Sequence, residues 1–108
     1  MTVNILGEKL GLIRLNDGTD RDIASCYISD MLSRVLGGCE HGDVWITVQC
    51  SINMVAVAVM TGASCVILPE ELTAAVDVLE KATEEGLTIY SSRESAFTLA
   101  IKIARLIQ

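Results

Sequence analysis

Between Val44 and Met60 the chain reads VWITVQCSINMVAVAVM, two apolar halves around a small polar island at Gln49-Cys50-Ser51, with Asn53 just beyond. A water-soluble chain has to cover both halves, and this requirement limits the folds available to it. Val44 to Val48 is rich in β-branched residues, carries Trp45 and lacks alternation, which predicts an interior strand covered on both faces. Ser51 to Met60 reads as a helix. A second strand there would need a hairpin, and Gln-Cys-Ser-Ile lacks the glycine or Asn-Gly chemistry of such turns. Val55, Val57 and Val59 pull the other way, being poor helix formers. Apolar all round, this helix is expected to be buried on several sides.

The remaining segments alternate in the same manner. Thr2 to Leu10 predicts a short helix with Val3, Leu6 and Leu10 on one face and Gly11 as its stop. Leu12 to Leu15 is a strand candidate, and Asn16-Asp17-Gly18 a turn. Ile23 to Ile28 reads as a strand. Ser29 is then the expected N-cap of a helix, Asp30 lies in its first turn, and Met31, Leu32, Val35 and Leu36 form its apolar side before Gly37-Gly38. Cys65 to Leu68 is another short strand. Glu70 to Glu85 has the clearest helical period, with Leu72, Ala75, Val76, Leu79 and Ala82 at i, i+3, i+4 spacing and Gly86 as its stop. Leu87 to Tyr90 is the last strand, and Ser91-Ser92-Arg93-Glu94 fits a capping box for the final helix.

That final helix carries Thr98, Lys102 and Arg105 as a narrow polar stripe, with apolar residues elsewhere. Its greasy surface covers about twice the roughly 100° that a surface helix needs. Either it is wedged into the domain or its second face meets another subunit. The expectation is a homodimer, with Leu99, Ile103 and Leu106 at the interface.

Strands alternating with helices predict an α/β fold in which 1–108 form a single three-layer α/β/α domain with a largely parallel central sheet. Right-handed crossovers would set the turns after successive strands along one edge, where open α/β sheets bind ligands. Gln49, Cys50, Ser51 and Asn53 are therefore candidate ligand contacts, as are Ser91, Ser92 and Arg93. Cys26 is a further candidate, near a chain turn. Free N–H groups at a helix start beside Arg93 would suit a phosphate or carboxylate, so a small anionic ligand is the expected kind.

The chain has 108 residues and a formal charge of −6, with no cluster of Lys or Arg. An acidic surface argues against nucleic acid or an anionic membrane as a partner. No export signal is visible at the amino end, and Thr61, Gly62 and Ser64 interrupt the longest apolar run before it could span a bilayer. A cytosolic location is expected. Neither a P-loop, nor a dinucleotide-binding glycine motif, nor a nucleophile elbow occurs, and His41 has no nearby nucleophile in sequence. Asp20-Arg21-Asp22 reads as a solvated turn with a local ion pair.

Cys26, Cys39, Cys50 and Cys65 include no C-x-x-C pair and match neither zinc nor common iron–sulfur spacing. Free cysteines used as small buried groups are the plainest reading, and no cofactor is expected. Two other readings stay open. Cys26 and Cys50 could serve a thiol-dependent enzyme, or form part of a metal or iron–sulfur accessory protein.

Three segments in order, DRDIASCYISDMLSRVL (Asp20 to Leu36), GDVWITVQCSINMVAVAVM (Gly42 to Met60) and EKATEEGLTIYSSRESAF (Glu80 to Phe97), resemble the DRTGG domain family, which is related to the N-terminal domain of HPr kinase/phosphorylase. The most specific features are GD-W-IT-Q and N-VAVA. Two departures stand out. Ala24-Ser25-Cys26 replaces the expected Thr-Gly-Gly, and Gln49-Cys50-Ser51 stands where members often have Gln-Thr-His. A Cys side chain at position 26 would obstruct or replace any close backbone approach that the glycines allow. The resemblance implies an α/β/α domain without kinase chemistry of its own, acting as a regulatory or assembly module beside a larger enzyme partner.

Overall fold

The computed structural model describes residues 1–108. Along the chain come α1 (Val3–Leu10), β1 (Ile13–Arg14), β2 (Cys26–Ile28), α2 (Leu32–Gly38), β3 (Val44–Ile46) and α3 (Ile52–Thr61). They are followed by β4 (Cys65–Leu68), α4 (Val76–Glu84), β5 (Thr88–Ser91) and α5 (Ala96–Ile107). The five strands make one sheet in the order β1-β5-β4-β3-β2, with β2 to β5 parallel and β1 antiparallel to β5.

The order follows from local steps. Each strand from β3 to β5 lies beside its predecessor, so three crossovers of one hand set α2, α3 and α4 on the same face. That layer packs on Trp45, Val66, Leu68, Leu87 and Ile89. The opposite face, formed by Val44, Ile46, Cys65, Ile67 and Tyr90, is covered by Val3 and Leu6 of α1 and Leu99 and Ile103 of α5. Alternate residues of one strand therefore enter different cores, which is why Val44-Trp45-Ile46 and Cys65 to Leu68 are buried without interruption. The expected three-layer arrangement is the one observed.

Several local expectations are corrected. The helix predicted from Glu70 begins only at Val76, with Ala75 as its N-cap. Glu70 and Glu71 instead hold left-handed backbone, with φ of 58° and 63°. Their amides bond across to the next loop, Glu70 N–H to Glu94 O (3.0 Å) and Glu71 N–H to Ser92 O (2.7 Å). The predicted Ser91–Glu94 capping box does not form. Ser91 ends β5 and its hydroxyl donates to Leu72 O, while Ser95 caps α5 by accepting from Thr98 N–H. Ser29 is not the cap of α2, whose N-cap is Met31, without a side-chain cap bond. The chain bends at Asn16 as expected, and the Asn16 side chain also extends the β1–β5 ladder, accepting from Ile89 N–H and donating to Leu87 O.

The predicted dimer face of α5 is also corrected. Leu99 and Ile103 are fully buried within the subunit, and Leu106 is half-buried. Two covered sheet faces give α5 a home in its own chain, so its apolar width is mostly used internally. Its outward stripe is Phe97, Ile101 and Arg105. The opposite correction applies to α3. Met54, Val55, Val57 and Ala58 are buried, whereas Ile52, Ala56, Val59 and Met60 face outward and are exposed. α3 lies in the middle of an outer layer, with neighbours on its flanks and none above it.

Candidate functional site

At the carboxyl ends of β2 and β3 the polar island is consumed by the fold. Asp30 Oδ1 accepts from Thr47 Oγ1 and from Val48 N–H, each at 2.9 Å. Gln49 Nε2 donates to Asp30 O at 2.8 Å, and Gln49 N–H donates to Thr47 Oγ1. Trp45 Nε1 reaches Ser29 O at 2.9 Å. These bonds lash the β2–α2 loop to the β3–α3 loop and satisfy backbone groups that the strand ends would leave open. The Cys50 thiol faces Val48 O, Ser51 is the N-cap of α3, and Asn53 is exposed. None of the five surface cavities is lined by Gln49, Cys50, Ser51 or Asn53.

The topology explains this. A crevice opens where neighbouring strands send their connections to opposite faces. From β2 to β4 every connection goes to the same face, and only at β4 and β5 do the chains part, one to α4 and the other to α5. Ser91, Ser92 and Arg93 stand at that division. The cavity they line, of about 310 Å³, opens on the other side of β5, toward β1, where Leu10, Gly11, Ile13 and Glu94 complete it. β4 separates this place from the Gln49 group, so the two predicted clusters lie about 10 Å apart across the sheet.

The cavity's charges are mixed. Arg93 is largely exposed and pairs with Glu71 at 3.7 Å, and Lys102 pairs with Glu94. Ser92 Oγ accepts from Glu94 N–H, and Ser92 N–H bonds Leu68 O. The loop carrying Glu70 and Glu71 is thereby stitched to the start of α5 by backbone bonds and one exposed ion pair. Two adjacent non-glycine residues in left-handed conformation are costly, on the order of 1 kcal/mol or more each, so these bonds hold a strained turn in place.

Cys26 lies elsewhere. It starts β2 at the amino end, beside Val44, and packs toward the α1–α5 side. Cys50 follows β3 at the other end and packs against the α2–α4 core. The two thiols are therefore not brought together. Burial pushes the Cys26 thiol up to about 11, with the Asp43 carboxylate and Cys39 adding to the rise. Burial raises Cys50 also. Both shifts run opposite to the lowering that activates a thiol as a nucleophile.

At the amino ends of β2, β3 and β4 the structure corrects the reading of Asp20-Arg21-Asp22 as a solvated turn with a local ion pair. Arg21, Asp22, Ile23, Ala24, His41 and Gly42 line a cavity of about 410 Å³ with Gly62 and Ser64. Arg21 makes no ion pair. Its guanidinium donates to Ala63 O beyond α3 and Glu85 O beyond α4, both at 3.3 Å. Asp20 Oδ1 accepts from Asn4 N–H in the first turn of α1 at 2.9 Å. The Asp-Arg pair thus ties helix ends together, an anion at an amino terminus and a cation at two carboxyl termini, as the helix dipole favours. Gly62, with φ of 74°, could not be replaced easily, because a Cβ there would lie 2.5 Å from His41 Nδ1.

No helix is long and apolar enough to cross a membrane. No protein-family model and no curated protein matches the sequence. Among solved structures, the chain is similar to the CBS and DRTGG domains of the regulatory region of Clostridium perfringens pyrophosphatase, determined with the activator diadenosine tetraphosphate. The TM-score is 0.70 at 16% identity, over 97% of this chain but 45% of that one, so this chain spans less than half of the protein it matches. The five-stranded, mostly parallel sheet with helices on both faces is therefore a DRTGG-like fold.

Proposed function

We propose that this chain is a non-catalytic regulatory or assembly module that binds a small anionic ligand, such as a nucleotide or phosphorylated metabolite, and associates with itself. The observation that carries the ligand reading is the cavity at the carboxyl end of β5, on its β1 side, which Ser91, Ser92 and Arg93 line. The likeness to a regulatory region solved with a nucleotide activator supports the same reading. Arg93 is held by Glu71 alone, in an exposed pair of the kind worth about 0.2–1 kcal/mol. An incoming phosphate can therefore displace Glu71 from Arg93 at small cost. Release of Glu71 loosens the segment between β4 and α4, which is a means of passing ligand occupancy to a larger enzyme partner in the cytosol. The raised thiols at Cys26 and Cys50 weigh against a thiol-dependent enzyme.

The test is thermal unfolding against adenine nucleotides, dinucleoside polyphosphates and sugar phosphates. Ligand at 100 times its dissociation constant should stabilise by about 2.7 kcal/mol. Arg93→Ala should abolish that shift and leave the unliganded midpoint almost unchanged. An unresponsive wild-type protein removes the sensing half of the proposal. Light scattering at high micromolar concentration tests the other half, and a strict monomer removes it.

A further inference from the structure

We infer that the cavity between α1 and β1 is a binding site for a free α-amino acid, separate from the Arg93 cavity and independent of what binds there. On one face of α1 and its carboxyl cap, Asn4, Gly7, Glu8 and Gly11 recur at i, i+3, i+4 and i+7. The two glycines leave a trough where side chains would otherwise stand. A Cβ at Gly7 would collide with Tyr90 Oη, and one at Gly11 would meet nothing within 4 Å. Arg14 lies opposite Tyr90 in the β1–β5 pair, so both side chains share one face of the sheet. Asn4, Glu8, Arg14 and Tyr90 line the resulting cavity, of about 490 Å³.

Arg14 is held in place without being neutralised. Its guanidinium lies 5.2 Å over the Tyr90 ring and donates to Thr88 Oγ1 (3.3 Å), Tyr90 Oη (3.0 Å) and Asn4 Oδ1. All three acceptors are uncharged, and Arg14 takes part in no ion pair. Some of its N–H groups therefore stay uncommitted. The Asn4 side-chain amide accepts from Arg14 and donates to no protein group. Glu8, one helical turn from Asn4, is exposed and also makes no ion pair, although it lines the same cavity as Arg14. Asp20, the other carboxylate near Tyr90, is spent on Asn4 N–H. A fixed cation with a free amide beside it, and an unpaired anion one turn along, select a zwitterion. The ligand carboxylate takes the Arg14 and Asn4 donors and its ammonium takes Glu8, so every charge is paired. A phosphate would meet Glu8 and a chain of charge −6 with Arg14 alone to offset them. A simple amine would leave Arg14 without a partner. The cavity's volume is within the range of small-ligand sites and leaves room for the ligand's side chain.

The experiment is calorimetric titration of the full chain with each of the common α-amino acids, at up to about 10 mM. Each one that binds is compared with its N-acetyl derivative, its decarboxylated amine and inorganic phosphate. The expected result is binding of at least one free amino acid, weakened by at least about tenfold in either derivative, with phosphate inactive. Glu8→Gln and Arg14→Gln should each weaken it by a similar factor, and Arg105→Gln, on the outward stripe of α5, should leave it unchanged. Arg14→Gln loses three bonds within the fold, whereas Glu8 is exposed and unpaired, so Glu8→Gln keeps the test valid should the former unfold. Wild-type protein that binds no amino acid overturns the proposal. Equal affinity for the N-acetyl derivative or for phosphate overturns it too, as does undiminished binding in Glu8→Gln.

Discussion

Replacing Arg21 by alanine tests whether the Asp-Arg pair is a fold staple. The side chain makes no ion pair, and its two bonds join Ala63 O and Glu85 O. Hydrogen bonds from a charged donor contribute about 1.5–3 kcal/mol each. Both are long, and water can reach the adjacent cavity, so about 1 kcal/mol each is the better figure. The interaction of a cation with two helix carboxyl ends adds a few tenths. The sum is about 2 kcal/mol, a sizeable part of a total stability of about 5–15 kcal/mol. At about 4 °C per kcal/mol for a chain of this size, the unfolding midpoint should fall by about 8 °C. Arg21→Lys, which can reach only one carbonyl, should lose about half of this. Urea unfolding of both variants, followed by circular dichroism, gives the values. A loss under about 0.5 kcal/mol in Arg21→Ala would mean that the guanidinium holds nothing, and the staple reading would fail.

Other outcomes follow from the same coordinates. Gln49→Ala should cost about 1 kcal/mol, because it cuts the bond to Asp30 O, and chemical denaturation of that variant checks it. Ser95→Ala should cost about 1 kcal/mol as loss of a helix cap, and an unaffected midpoint would return the cap to another residue. The thiols of Cys26 and Cys65 are pushed up to about 11 and about 12, against 9.0 when solvated. Since the unfolded chain releases these protons first, their stabilising effect is complete below about pH 9. It is lost as pH rises toward 11 and 12, and a Cys26→Ala, Cys65→Ala variant should show a flatter decline. Alkylation of Cys26 and Cys50 at neutral pH should be no faster than in an unfolded peptide, measured by timed labelling and mass spectrometry.

The layered architecture was readable because it rests on runs of side chains: Val44 to Ile46 and Cys65 to Leu68 are apolar on both faces, and only a covered sheet satisfies them. The site was less readable, because its groups are chosen by contacts distant in sequence. Ser91-x-x-Glu94 and Ser95-x-x-Thr98 are both plausible caps locally. The choice between them is made by the neighbouring loop, whose Leu72 carbonyl takes the Ser91 hydroxyl. Glu70 and Glu71 have good helical propensity, yet amide bonds to Glu94 O and Ser92 O draw them into left-handed backbone. Asp30 looks like a first-turn acid and acts as an acceptor for the next strand's end. Nothing near Arg21 in sequence announces its two carbonyls, 42 and 64 positions away.

The sheet's order has a consequence for assembly. From β2 onward, every strand finds its neighbour one crossover later, so that part can zip up progressively as the polypeptide emerges. β1 is the exception, since Ile13 and Arg14 meet Ser91 and Tyr90, at the far end of the chain. The earliest-made strand must therefore wait with its edge unmatched until the last one arrives. Closure of that long loop, with Tyr90 Oη donating to Val3 O, is the latch that completes the molecule.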